Sequence, residues 1–409
     1  MTKGIRWLSF GPGSGYGCAS EAYLSGLRSA GIPVCWTPLG WPSTVWPAPL
    51  GPLADPDLGR AVHRDIANRP VEHDTVVVHS PPFWHDRMAD EARGRLLVAF
   101  TTWETDRLPD EWLEILGHFD RVVVPSRFNA DVFVSSGLDV PIAVVPHIAP
   151  SVPAPGRGAP TRAEDARFVF YLVATWSTRK AILDAVEAFV TAFDADDDVV
   201  LIIHTTPEDL VAQARPATGN HRPSRHETST WFTLAGTLAG RSNLPDIVLS
   251  TRTLSEAEMD DLHRGGDCYL SLSRGEGWGL GAFDAAAWGN PVVVTGWGAA
   301  PEFLPGGYPY FVEYDLIATT SDSSDALWQP RPGERWAKAR VSHGATLLRH
   351  VYEHRAEAEA WGRRSQSHVL GNFDSISVTR QLVAAVDPQR QPMMARPSVD
   401  NETASDSLG

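Results

Sequence analysis

Short apolar runs rich in β-branched residues alternate with stretches of helical spacing along the first third of the chain. The runs fall at 5–10, 34–37, 76–79, 96–101, 121–124 and 142–145. Between them lie helix-like segments at 20–30, 110–118 and 129–136. Near-continuous apolar runs, rather than alternating ones, are what a parallel sheet covered on both faces requires. The alternation therefore predicts βαβ units. Residues 150–166 break it with a Pro/Gly/Arg mixture that reads as a linker. The pattern then restarts. Strands are expected at 168–174, 199–204, 247–249, 268–272 and 292–295, with a helix at 182–193 whose apolar residues recur at helical spacing. Ser255 and Glu258 form a capping box ahead of the strand at 268. Residues 211–245 read as an excursion from the core fold, and 334–386 as mostly helical.

The fold class that follows is α/β, with two Rossmann-like parallel-sheet domains facing each other across a cleft. The expected boundaries are 1–149 for the first domain, 150–166 for the linker and 167–370 for the second domain. A helix at 371–387 is expected to cross back to the first domain, ahead of a disordered tail at 388–409. In open α/β sheets, ligands bind beyond the carboxyl ends of the strands.

Composition narrows the partners. The 409 residues are 43% hydrophobic, enough for two cores at roughly 100–200 residues per domain. Fifty acidic against 35 basic residues give a net charge of −15, which argues against general binding to nucleic acid or anionic membrane. Cysteine occurs only at positions 18, 35 and 268, so neither a disulfide framework nor a zinc site is indicated. There is no signal-peptide pattern, and every apolar run is far shorter than the roughly 18 residues of a membrane span. A cytoplasmic protein is the expectation.

Three constellations carry candidate chemistry. The first is Gly11-Pro12-Gly13-Ser14-Gly15-Tyr16-Gly17, between the first strand and a helix. Gly13, Gly15 and Gly17 would let the backbone approach a phosphate or sugar. A dinucleotide fingerprint is excluded, because Tyr16 stands where its third glycine belongs and no acid follows the second strand. The second is Ser273-Arg274-Gly275-Glu276-Gly277-Trp278-Gly279-Leu280-Gly281, leading to Asp284 and Gly289-Asn290-Pro291. Two acids beside a glycine-rich loop suit a polyhydroxyl ligand carrying phosphate: the acids accept from hydroxyls and the amides donate to phosphate. The third is Trp176-Ser177-Thr178-Arg179-Lys180, where two cations are expected in the first turn of a helix. The macrodipole disfavours them there by roughly 0.3–1 kcal/mol each, a cost that a bound anion would reverse. Lysine otherwise occurs only at 3 and 338. His79 ends one strand, and Thr101–Arg107 follows another and is a candidate for the opposite wall of the cleft. The run Asp194–Asp198 lies at the amino end of a strand, away from the cleft, and reads as a solvated turn. No His/Cys cluster has metal-ligand spacing.

The stretch from Glu276 through Asp284 to Gly289-Asn290-Pro291-Val292 resembles the Glu-x7-Glu signature of glycosyltransferase family 4, retaining enzymes of the GT-B fold. The resemblance implies transfer of a sugar from a nucleotide diphosphate sugar to a hydroxyl acceptor, with no metal and no separate cofactor. It implies donor-sugar contact by Glu276, ribose contact by Asp284, and sugar and diphosphate contact by the amides of Gly277, Trp278, Gly279 and Leu280. Lys180 matches the family's phosphate-binding lysine, and His79 its histidine beside the donor sugar. Gly13–Gly17 resembles the glycine loop that approaches the diphosphate from the acceptor side. The sequence departs from the family in two ways. Asp284 replaces the second Glu, and Val173-Ala174 stand where a Gly-Arg is usual, leaving Arg179 to supply that charge. A related-fold epimerase or phosphorylase, or a non-catalytic ligand-binding subunit, is the alternative.

Overall fold

The computed structural model describes residues 4–11, 13–39, 63–82, 94–152, 167–210, 212, 224–319 and 333–386. Most of the linker and the whole C-terminal tail expected from the sequence lie outside the described residues.

The first domain carries strands β1 (Gly4–Phe10), β2 (Val34–Leu39), β3 (His73–His79), β4 (Leu96–Phe100), β5 (Arg121–Val124) and β6 (Ile142–Val144). They form one parallel sheet in the order β2-β1-β3-β4-β5-β6. Adjacent residues Trp7 and Leu8 point to opposite faces of β1, and both are fully buried, so this sheet is covered on both sides. One apolar cluster, including Leu8, Val78 and Phe133, covers one face. The other face, with Trp7, Tyr23 and Phe100, belongs to a cluster that continues into the second domain.

The second domain carries β7 (Phe168–Val173), β8 (Val199–His204), β9 (Asp246–Ser250), β10 (Cys268–Ser271), β11 (Val292–Thr295) and β12 (Phe311–Val312). Their order is β12-β11-β10-β7-β8-β9, again parallel throughout. The order reverses between β7 and β10, which pair directly through Phe170 with Cys268 and Tyr171 with Tyr269. That reversal is a topological switch point, where an open α/β sheet leaves a crevice at its carboxyl edge.

Two expectations need correction. Residues 335–339, read as the start of a helical region, form strand β14 (Arg335–Ala339), antiparallel to β13 (Tyr314–Ala318). Its register with β13 holds it as a strand, with Trp336 and Ala337 buried and Arg335 and Lys338 exposed. The first helix spans Gly15–Ser29 and so begins five residues earlier than the periodicity suggested, because the Ser14 side chain accepts from the Gly17 amide and caps it. The other predicted strands lie within one residue of their expected ends, apart from β2 and β3, which run two and three residues further at one end; β12 and β13 answer to no predicted run. The capping box at Ser255 and Glu258 is formed.

The last helix, Ser375–Val386, packs on the Gly15–Ser29 helix of the first domain. Thr379 fills the space where Gly26 has no side chain, and Arg121 donates to the Ala385 carbonyl at 2.8 Å. Among the described residues no helix is long and apolar enough to cross a membrane.

Candidate functional site

The switch point of the second sheet brings two loops side by side. The loop after β7 carries Arg179 and Lys180, and the loop after β10 carries Glu276. Contrary to expectation, the two cations do not lie in the first helical turn. The helix is Ile182–Ala192, and Ala181 ahead of it adopts a left-handed conformation with φ of 47°. That turn aims both side chains at the β10 loop instead of along the helix. The backbone joins the loops as well: Arg274 N–H donates to the Arg179 carbonyl at 2.8 Å.

Lys180 Nζ lies 2.6 Å from Glu276 Oε1. Arg179 donates to the Gly275 carbonyl at 2.8 Å and approaches Glu276 Oε2 at 3.5 Å. Burial pushes the Glu276 carboxyl up, but the charges of Lys180 and Arg179 outweigh it and hold the group below the usual glutamate range. Glu276 is therefore an ionised acid held by two cations that a phosphate would also attract.

Asp284 is the opposite case. It sits one turn into the Leu280–Ala287 helix, half-buried, with no cation among the described residues acting on it. Desolvation, reinforced by Asp260, pushes its carboxyl up to about 7. Its charge is felt by Cys18 on the first helix and by Tyr269 on β10. Gly279, at φ of 92°, supplies the left-handed turn from which this helix starts. The helix's first amides, around Leu280, thus open toward the loop.

The first domain presses on this loop. A Cβ on Gly275 would overlap the Glu104 carbonyl, and one on Gly277 would overlap the Thr102 hydroxyl. Asn129 orders that segment: its Nδ2 donates to the Trp103 carbonyl at 2.7 Å, and its Oδ1 accepts from Thr102 Oγ1 at 2.6 Å. Glu104 Oε1 lies 3.9 Å from Arg179 Nη1. Further contacts hold the two domains together nearby. Glu302 accepts from the amides of Arg127 and Phe128 at 2.8 and 2.7 Å, so the second domain caps a helix of the first. Asp106 pairs with Arg335, by side chain and backbone.

The other residues expected at the site lie as follows. Trp278 is 4% exposed and packs on His147, Phe283, Phe303 and Phe373, so its side chain is part of the core between the domains. Gly13 has φ of 104° with open space around it, and Gly15 faces Leu280 at 3.7 Å, which sets the first glycine turn against the start of the Leu280–Ala287 helix. The Gly17 amide serves the Ser14 cap. His79 ends β3 but is 2% exposed, enclosed by the rings of Trp7, Tyr16, Tyr23 and Phe100. Its Nδ1 lies 2.6 Å from Ser20 Oγ. The first-domain residues that face the charged cluster are Thr102 and Glu104. Glu104 stood in the sequence only as one member of a loop, and no signal singled it out, because its partner Arg179 lies on another domain. The Asp194–Asp198 turn is at the amino end of β8, where Asp197 pairs with Arg349 at 2.7 Å. Among the described residues no group of three or more His, Cys, Asp or Glu side chains could hold a metal ion.

No family model and no curated protein sequence matches the chain. Solved structures do. HepE of Anabaena, in complex with UDP and glucose, aligns with a TM-score of 0.57 at 15% identity, covering 93% of this chain and 98% of that one. Sucrose-phosphate synthase of Thermosynechococcus elongatus aligns at 0.61 with 13% identity, over 93% and 97%. A glycosyltransferase of Rickettsia africae aligns at 0.58 with 13% identity, over 93% and 97%. At these identities the likeness is one of fold, and that fold is GT-B, with two Rossmann-like domains facing each other.

Proposed function

We propose that this protein transfers a sugar from a nucleoside diphosphate sugar to a hydroxyl acceptor, with the anomeric configuration retained and without a metal. The observation that carries the reading is the cluster of Lys180, Arg179 and Glu276 at the switch point of the second sheet. HepE has been solved with UDP-glucose, and we extend that class of donor to this chain.

In the proposed reaction the bond from the anomeric carbon to the diphosphate oxygen breaks. The acceptor oxygen bonds to the same face of that carbon, and its proton passes to the departing diphosphate. The protein's share is positioning and charge stabilisation. Lys180 and Arg179 take the negative charge that grows on the diphosphate. As Lys180 turns to the phosphate, Glu276 is left ionised beside the sugar, where it accepts from hydroxyls and faces the positive charge developing on the ring. Asp284 accepts from the ribose. The acceptor enters from the first domain.

The test is a panel of UDP-, GDP- and ADP-sugars. A donor at about 100 times its dissociation constant stabilises the fold by roughly 2.7 kcal/mol, seen as a thermal shift. The same donor is hydrolysed or transferred in the presence of EDTA. Glu276→Gln melts lower than the parent, because it leaves two cations without their shared partner, but it folds and loses kcat, because its contact with the sugar tightens in the transition state. A thermal shift with no turnover on any acceptor supports the ligand-binding alternative. No shift with any nucleotide sugar ends the donor assignment.

A further inference from the structure

The cluster at the switch point contains two acids, and they come from different domains. Glu276 belongs to the second domain and pairs with Lys180 at 2.6 Å. Glu104 belongs to the first domain, is 8% exposed, and lies 3.9 Å from Arg179. The Arg179 guanidinium thus sits between Glu104 Oε1 and Glu276 Oε2, and its own side chain is 13% exposed. The backbone around Glu104 is held tightly. Its carbonyl abuts Gly275, and Thr102 two residues before it is bonded to Asn129 and accepts no more room from Gly277. The Thr102 amide also donates to the Tyr16 hydroxyl at 3.2 Å. Glu104 is therefore presented to Arg179 by a rigid segment rather than a swinging loop.

We propose that Glu104 is a positioning residue of the donor site: it holds Arg179 in place across the domain boundary, so that a nucleoside diphosphate meets an ordered guanidinium. The inference rests on the donor reading above. Without ligand, Lys180, Arg179, Glu104 and Glu276 sum to zero charge, which lets two cations wait in a half-buried crevice without repelling one another. An unheld arginine carries large rotamer freedom that ligand binding would have to remove. Because Glu104 is supplied by the first domain, Arg179 acquires this partner only when the domains are together.

The sign of one substitution decides the matter. If Glu104 acted only as a charge near an anionic ligand, its removal would tighten diphosphate binding. If it positions Arg179, its removal weakens binding. The measurement is calorimetric titration of UDP, GDP and ADP into the full chain and into Glu104→Gln, Glu104→Asp, Arg179→Gln and the Glu104→Gln/Arg179→Gln double variant, each checked by thermal melt. The expected result is about tenfold weaker binding by Glu104→Gln, substantial recovery in Glu104→Asp, and a double variant no weaker than Arg179→Gln alone. Tighter or unchanged binding by Glu104→Gln overturns the proposal, as does a double variant whose loss is the product of the two single losses. If Glu104→Gln fails to fold, Glu104→Asp against Arg179→Gln carries the same comparison, and unchanged binding by Arg179→Gln overturns it. A wild-type chain that binds none of the three diphosphates removes the donor reading itself, and the proposal with it.

Discussion

Each domain has a glycine-rich turn between a strand and a helix, after β1 in the first and after β10 in the second, and the two turns use several of their glycines for different reasons. In the first domain, Gly13 adopts φ of 104° with none of the described residues crowding it, so glycine serves the chain's own path. In the second, Gly275 and Gly277 have no room for a side chain because the other domain's backbone and Thr102 occupy it. Gly13 needs conformational freedom and Gly275 and Gly277 need absence of volume, while Gly279 in the second turn, at φ of 92°, needs freedom as well. The same letter in the sequence thus marks a local event in one place and a contact between elements about 170 residues apart in the other. It is the second turn that carries Glu276, so the position of that acid depends on how the domains meet.

The largest effect is expected at the cations that the second turn holds. Lys180→Ala should lower donor-dependent turnover by about 10²–10³, since it removes a charge that acts on the leaving diphosphate. Donor-saturation kinetics would show kcat and donor KM both affected. Unchanged kinetics at subsaturating donor would take Lys180 out of the site and leave the second turn a packing feature only.

Next comes the packing itself. Gly275→Ala should cost about 1–3 kcal/mol of stability and lower turnover, because the added methyl meets a backbone carbonyl that cannot be trimmed. Gly277→Ala meets the Thr102 side chain instead, so Thr102→Gly should restore part of its loss. Chemical denaturation of the single and double variants distinguishes the two. Equal rescue of both by Thr102→Gly would contradict the contrast between a backbone and a side-chain contact.

Asp284 gives a smaller effect with a pH signature. Its carboxyl is pushed up to about 7 in the folded protein, against an ordinary value of 3.8. The folded state therefore holds an extra proton between those values. The stability this gives is fully present below about pH 4 and is lost as pH rises through 7. Asp284→Asn cannot ionise, so it should melt about the same as the parent at pH 4 and a few degrees higher at pH 8. If the ribose donates to the ionised acid, the parent's donor KM should fall as pH rises through 7, and that of Asp284→Asn should be higher and flatter. A parent melting profile that tracks the variant at both pH values would remove the buried-acid account.

The smallest effect belongs to the first turn. Gly13→Ala meets none of the described residues, so its cost is the left-handed backbone, about 1 kcal/mol. It should shift the melt slightly and leave the Lys180 and Glu276 kinetics in place. A loss of turnover as large as that of Gly275→Ala would show that the first turn contacts the donor and would erase the difference between the turns.

Much of this architecture was legible along the chain. A strand buried on both faces must be apolar at nearly every position, and eleven such runs mark eleven of the twelve strands in the two parallel sheets. The twelfth, β12, is two residues long and carries no run to detect. The pair β13 and β14 escaped for another reason. Arg335 and Lys338 make the second of these strands look like the helical stretch that follows, and only pairing with its partner at 314–318 makes it a strand. Lys180 and Glu276 were visible because each breaks a local rule: cations gathered at a helix start, and an acid set among alternating glycines.

Local order and the identity of the polar groups at strand ends were determined by the sequence, because propensity, capping and periodicity act over a few residues. Which of those groups meet was decided by the tertiary structure. The strand order puts β7 beside β10 and so joins Lys180 to Glu276, 96 residues apart. Domain packing sets Glu104 against Arg179 and makes Glu302 the cap of another domain's helix. Packing within the first domain encloses His79 in aromatic rings, although its place at a strand end read as a position on the cleft. A side chain's charge is written at its own position, but its partner is fixed by a sheet order and a domain contact that no local pattern records.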